Sequence, residues 1–245
     1  MIQDLHSHTY YSFCGADRPE EVVEAAIAGG IELLGISDHS YGIGCSRLDV
    51  AKSKAADIYN GYENNLYRYF DHINLIKEKY EGKIKIMRGI EITIPSLYDM
   101  RTALPESADV SFFDYCLLES PQLIDDGDIF ALSERFGCPM GIAHTDMFAY
   151  AEHIGADPFL LFRAMAERGI FWEMNVNYDS IHGYREHAYV KRFFSDTEQQ
   201  AVVREAGLSL SVGFDGHRAN EYKADRVKDA CAKIEALGIK LAFDK

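Results

Sequence analysis

In this 245-residue chain, histidines and carboxylates fall where short apolar runs end. The run Ile2–Leu5 is followed by His6-Ser7-His8. Residues two apart on extended backbone point to one side, so both imidazoles can face one ion. A lone pair of this kind also arises by chance, but here the pattern recurs. Leu33–Ile36 leads into Ser37-Asp38-His39, Ile84–Ile90 into Glu91, Met140–Ala143 into His144-Thr145-Asp146, and Leu208–Val212 into Asp215-Gly216-His217 by way of Gly213-Phe214. Nitrogen and carboxylate donors together suit Zn, Mn or Fe, and a carboxylate such as Glu91 can bridge two ions. The residues therefore predict one to three divalent ions held by His6, His8, His39, Glu91, His144, Asp215 and His217. Clustered cations lower the pKa of a bound water to about 7, which makes hydroxide available as a nucleophile at neutral pH without a Ser or Cys nucleophile.

The elements that must gather these residues are strands. With Tyr115–Leu118 and Ile170–Met174 there are seven strand-length runs, and helical patterns lie between most of them. One helix starts at Pro19, carries Glu20 and Glu21 at its positive end and stops at Gly29-Gly30. Apolar residues at helical spacing, including Ile58, Tyr62, Leu66, Tyr69, Ile73 and Ile76, predict a long helix within Leu48–Tyr80. Asp157-Pro158 opens a helix that runs to Gly169, and Ser195-Asp196-Thr197-Glu198 reads as a capping box for a helix to Ala206. The β, α alternation predicts an α/β fold, a closed or distorted parallel barrel, and such barrels carry their chemistry at the C-terminal ends of the strands.

Composition narrows the class. Apolar residues make 47% and charged residues 26%, values of an ordinary globular protein, and no apolar run approaches the roughly 20 residues of a membrane helix. With no signal-like start at MIQDLHSH, a cytoplasmic protein with no membrane partner is expected. Nothing marks a domain boundary, so residues 1–245 are expected to form one domain. The net charge of -14 disfavours nucleic acid as a partner. Cys14, Cys45, Cys116, Cys138 and Cys231 are odd in number and lack CxxC spacing, which predicts reduced thiols.

The motifs DLHSHT, SDH, GIE, IAHTD, WEMNVN and GFDGH, in this order over nearly the whole chain, resemble the PHP family, named for polymerase and histidinol phosphatase. The resemblance implies a distorted seven-stranded (β/α)7 barrel, a trinuclear metal site and hydrolysis of phosphate esters. It assigns His6, His8, Glu91 and Asp215 to a first ion, Glu91 and His144 to a second, and His39 and His217 to a third. Two positions depart from the pattern. Cys14 stands where His, Asp or Glu is common, and is either a thiolate ligand or a small buried hydrophobe. Pro121 stands where His is normal. Glu119, two residues earlier, either reaches the second ion or is salt-bridged or solvent-facing.

Asp38 or Asp146 is expected to orient water or the ligand imidazoles, or to be structural. Arg185, in the loop after WEMNVN, is a candidate for the substrate phosphate, and Arg218 a weaker one. His72 and His153 read as surface or capping residues, and His182 and His187 are five apart, the wrong spacing for one helical face. The expected activity is a metal-dependent phosphatase on a small phosphomonoester, histidinol phosphate being one possibility. Its rivals are a phosphodiesterase or exonuclease and a non-catalytic metal-binding regulatory module. Oligomeric state has no sequence signal.

Overall fold

The apolar runs become seven parallel strands paired in chain order: β1 (Gln3–Asp4), β2 (Leu33–Ile36), β3 (Lys85–Thr93), β4 (Tyr115–Glu119), β5 (Met140–Ile142), β6 (Phe171–Asn175) and β7 (Leu210–Gly213). The structure is a computed structural model, and it describes residues 1–41, 43, 62–93, 104, 108–123 and 128–244. Around the strands lie α1 (Pro19–Gly29), α2 (Tyr62–Lys79), α3 (Ile129–Phe136), α4 (Met147–His153), α5 (Pro158–Glu167), α6 (Ala188–Ser195), α7 (Thr197–Ala206) and α8 (Ala224–Ala236). The backbone beyond β1 meets β7, with Leu5 N–H donating to the Val212 carbonyl at 2.8 Å, Asp215 N–H to His6 at 2.7 Å and His8 N–H to Gly216 at 2.8 Å. The result is the expected distorted barrel of seven strands. Among the described residues no helix is long and apolar enough to cross a membrane.

Two apolar regions hold the ring. The larger packs Leu34, Ile36, Ile86, Ile90, Cys116, Leu118 and their like against the helices. The smaller fills the barrel itself with Leu5, Leu33, Met87, Tyr115, Leu117, Ala143, Phe171 and Ala242. Room for its rings comes from inward-facing glycines. A Cβ added at Gly89 would lie 2.6 Å from Tyr115 Cε1, and one at Gly141 would lie 2.6 Å from Phe171 Cζ. Period 2 then places polar residues above this plug on the same inward faces, Glu91 above Met87 and Gly89, and Glu173 above Phe171.

Local signals set most helix ends. Glu21 reaches back to accept from the Arg18 N–H at 2.9 Å, and Gly30 closes α1 with φ 74°. Asp157 caps α5 by accepting from Leu160 N–H at 2.9 Å. The capping box expected from Ser195 is corrected: Asp196 is the N-cap of α7, accepting from the N–H groups of Glu198 and Gln199, while Ser195 ends α6 and turns its hydroxyl back to the carbonyls of Lys191 and Arg192. Of the long helix expected within residues 48–80, α2 accounts for Tyr62–Lys79; residues 48–61, with Ile58, lie outside the described residues, as does Cys45. The other four cysteines are free thiols, Cys14 half-buried and the rest buried.

Candidate metal centre

His6 and His8 leave the end of β1 fully buried, each fixed by its far ring nitrogen. His6 Nδ1 donates to Glu173 Oε1 at 2.7 Å. His8 Nδ1 lies 3.1 Å from Ser12 Oγ, and that hydroxyl donates to Asp38 Oδ1 at 2.6 Å, so it accepts from His8. Both imidazoles therefore carry a proton on Nδ1, which leaves the two Nε2 atoms, 3.1 Å apart, as the positions that would offer lone pairs to a cation. Glu91 Oε2 is 3.3 Å from His6 Nε2 and 3.4 Å from His8 Nε2, and Asp215 Oδ1 is 3.6 Å and 3.1 Å from the same atoms. Metal–ligand bonds of about 2.0 to 2.2 Å in a tetrahedron give ligand–ligand edges of roughly 3.3 to 3.6 Å. The separations from the two imidazole nitrogens to the two carboxylates, 3.1 to 3.6 Å, lie close to those edges.

Glu91, from the end of β3, is shared. Its Oε2 lies 2.9 Å from His39 Nδ1 and its Oε1 3.0 Å from His144 Nε2. His144 follows β5 with φ 24°, Asp215 follows β7 with φ 54°, and both non-glycine residues thus adopt strained backbone at the site. His144 is held by its N–H to Glu173 Oε2 at 2.6 Å and by Trp172, whose indole N–H donates to the Thr145 carbonyl at 2.8 Å. Glu119, at the end of β4, brings Oε2 to 3.9 Å from His144 Nε2 and forms a group with Glu91 and His144. Pro121 is buried in a 3₁₀ turn, Pro121–Leu123.

On the other side, Cys14 Sγ joins His8 and His217 in a group whose donor atoms lie within 4.8 Å of one another, and the thiol also meets His39. Two residues that the sequence reading did not assign complete this side. In the loop after β6, Asp179 Oδ1 accepts from His182 Nδ1 at 2.7 Å, and His182 Nε2 lies 3.1 Å from Asp215 Oδ2. Asp179 Oδ2 faces His217 Nδ1 at 3.5 Å. The five-residue spacing of His182 and His187 is wrong for one helical face, but His182 sits on a loop folded back over Asp215, where that spacing has no bearing.

The charges are strongly coupled. Burial works against protonated His6, but the carboxylates of Glu173, Glu91 and Asp215 outweigh it and hold its pKa well above the usual imidazole value. Burial and the neighbouring His217 ring push His8 down to about 3. Burial raises Glu91 and Asp215, yet the surrounding imidazoles bring both well below the carboxylate range. Glu119 is raised by burial and by Glu91. For Cys14 the upward push of burial is outweighed by His217 and His39, which favour the thiolate.

Four buried atoms in this cluster make no aligned hydrogen bond and meet only as ion pairs, Glu91 Oε2 with His39 Nδ1 at 2.9 Å and Asp179 Oδ2 with His217 Nδ1 at 3.5 Å. Buried polar atoms without aligned hydrogen bonds are costly, and divalent cations would satisfy all of them. The residues present therefore fit a metal centre. Other expected residues lie around it. Asp38, fully buried, accepts from the N–H and hydroxyl of both Thr9 and Ser12, so it meets no ligand ring and acts on His8 through Ser12. Asp146 caps α4 and pairs with Arg192 at 2.5 Å, away from the ligands. Arg185 is exposed in the His182 loop and makes no ion pair among the described residues. Arg218 is exposed beside Val22 and Ala25 of α1. His72 bonds the Tyr11 hydroxyl at 2.9 Å, His153 is exposed at the end of α4, and His187 bonds Asn177 at 3.1 Å.

A parallel barrel with histidines and carboxylates gathered on its strand ends defines a class of metal-dependent hydrolases by site as well as fold. The sequence matches the PHP domain over residues 4–240, and the chain belongs to that family. Comparison with curated proteins finds no significant match. Among solved structures, the chain is similar to a histidinol phosphate phosphatase from Lactococcus lactis subsp. lactis Il1403, determined with zinc, L-histidinol and phosphate. Identity is 19%, the match covers 98% of this chain and 95% of that one, and the TM-score is 0.62. It is also similar, at 15% identity and TM-score 0.51, to the metal-dependent tyrosine phosphatases of Bacillus subtilis and Streptococcus pneumoniae, with 95% of this chain and 87% of that chain covered.

Proposed function

We propose that the protein is a metal-dependent phosphoesterase that hydrolyses a small phosphomonoester. The observation that carries this is the set of four donors, His6 Nε2, His8 Nε2, Glu91 Oε2 and Asp215 Oδ1, in which the two imidazole nitrogens lie 3.1 Å from each other and 3.1 to 3.6 Å from both carboxylate oxygens, close to the edges of a tetrahedral cation site. His6, His8, Glu91 and Asp215 would hold one divalent ion, Glu91, His144 and Glu119 a second, and His39, His217 and Cys14 a third. Such ions supply Lewis acidity to phosphoryl oxygens and acidify water. Zn, Mn and Fe all suit these donors.

The chain's own residues do the rest. Glu173, and Asp38 through Ser12, fix the tautomers of His6 and His8 so that both Nε2 lone pairs point inward. Asp179 orients His182 over Asp215 at the mouth. Arg185, three residues further along the same loop, is free to meet a phosphate with a charge-assisted bidentate contact. Arg218, beside α1, is a weaker candidate. A strongly acidic surface favours small substrates over nucleic acid. Histidinol phosphate is the first compound to test, because the Lactococcus lactis phosphatase is matched across nearly its whole length; tyrosine phosphate is the second.

The test is phosphate release from a panel of phosphomonoesters, nucleotides and oligonucleotides by protein loaded with Zn, Mn or Fe and by chelator-treated protein. Ion-dependent turnover of one or a few phosphomonoesters is expected. Turnover confined to diesters would make it a phosphodiesterase, and ion binding without any turnover would make it a regulatory module.

A further inference from the structure

The two departures from the family pattern change the donor sets in opposite directions. At one end of the centre the donors are soft: Cys14 Sγ lies with imidazole nitrogens of His8 and His217, all within 4.8 Å, and the thiol also meets the His39 ring. His217 is 4% exposed, and its Nδ1 makes no hydrogen bond. The opposite end is hard. Pro121 has no donor, and the carboxylates of Glu91 and Glu119 meet a single imidazole, His144, again within 4.8 Å. Glu91 Oε2, buried between the two ends, makes no aligned hydrogen bond and faces the imidazole nitrogens of His39, His6 and His8 at 2.9 to 3.4 Å.

We propose that the centre is sorted by ligand chemistry, the Cys14 end taking zinc and the Glu119 end a harder divalent ion such as manganese(II), so that one chain holds two different metals. The inference rests on the metal-centre reading above and deepens it. Thiolate selects zinc strongly over manganese, whereas carboxylate-rich sites suit manganese. Zinc outcompetes manganese at almost any nitrogen and oxygen site, so sorting depends on supply. Limiting zinc goes to the thiolate, where its advantage is greatest, and manganese occupies what remains.

The experiment reads metal content and spectra rather than turnover. Chelator-stripped protein is given one equivalent of zinc with excess manganese, desalted, and assayed by elemental analysis and by manganese electron paramagnetic resonance. In a parallel sample cobalt(II) replaces zinc. Wild type should keep one zinc and at least one manganese, and the cobalt sample should show a near-ultraviolet thiolate-to-cobalt charge-transfer band. Cys14→Ser should lose that band and about tenfold or more in zinc affinity while keeping its manganese. Glu119→Gln should lose manganese while keeping zinc and the band. Circular dichroism of both variants checks that the barrel is intact, and Cys14→His, which restores an imidazole, should regain zinc without the band.

A cobalt-loaded wild type without the charge-transfer band overturns the proposal, as does Glu119→Gln with undiminished manganese. If wild type binds ions of one kind at every position and shows no band, sorting fails while the metal-centre reading stands. If it binds no divalent ion at all, that reading fails with it.

Discussion

Glu173 offers the sharpest check on how the centre is held. Its carboxylate is 1% exposed and serves two of the proposed ligands at once, Oε1 accepting from His6 Nδ1 at 2.7 Å and Oε2 from the His144 backbone N–H at 2.6 Å, with Asn175 Nδ2 at 3.3 Å. In Glu173→Gln one oxygen becomes an NH₂ group. Only one of the two facing N–H groups then keeps an acceptor, and the other is opposed by a donor. A buried donor left unpaired costs about 1 to 3 kcal/mol. Loss of a partner that orients a metal-binding imidazole lowers metal affinity by about 10- to 100-fold, or about 1.4 to 2.8 kcal/mol. Chelator competition should show that loss, and urea unfolding of stripped protein should show the stability cost without ions. Gly213→Ala provides an independent arm, because its added Cβ would run into Glu173 Oε1 and lie 2.6 Å from His6 Cβ. It should reproduce the affinity loss with the carboxylate still present. Unchanged affinity and unchanged stability in Glu173→Gln would refute the reasoning.

Arg185→Ala should lower kcat/KM about tenfold, mainly through KM, with metal content unchanged; an unaltered KM would mark Arg185 as a surface residue. Gly89→Ala would place a Cβ 2.6 Å from Tyr115 Cε1 in the barrel plug, so a destabilisation of about 1 to 3 kcal/mol or more is expected in denaturant unfolding. Asp114, held below the carboxylate range because the Arg88 fork outweighs its burial, makes contacts of 2.7 and 3.1 Å to that guanidinium. Since its folded pKa is the lower one, its contribution is fully present above about pH 3.9 and disappears as pH falls through that value and then the folded one. Asp114→Asn should therefore lower stability by about 1 to 3 kcal/mol at pH 7 and reduce the loss that wild type shows on acidification, as read by thermal unfolding from pH 7 downwards.

The barrel was legible because seven apolar runs of strand length each ended at a polar switch, and each observed strand overlaps its expected run. Strand ends shifted by one to three residues, which mattered at β4: extension to Glu119 keeps that carboxylate on the inward face shared with Leu117. Glu173 carried a readable signal, since period 2 from Phe171 to Asn175 points it inward, although nothing local distinguishes it from a salt-bridged carboxylate. Asp179 and His182 had none, for they lie in an aperiodic loop whose return to Asp215 depends on tertiary contacts. Ser195 misled because its S-x-x-E pattern also fits a serine one residue before the true cap.

The closure of the ring between β1 and β7 has a kinetic corollary. His8 and Asp215 stand 207 residues apart in the chain, yet they belong to one candidate donor set, and the backbone bonds of Leu5, His8 and Asp215 run along the same seam. Bringing together residues of such sequence separation costs loop-closure entropy before any contact rewards it, which slows folding. The full donor set is thus absent until the last strand docks on the first, and an ion that binds afterwards acts as a clasp across the join. It should slow opening of the barrel far more than it speeds folding, because it stabilises contacts made after the folding barrier.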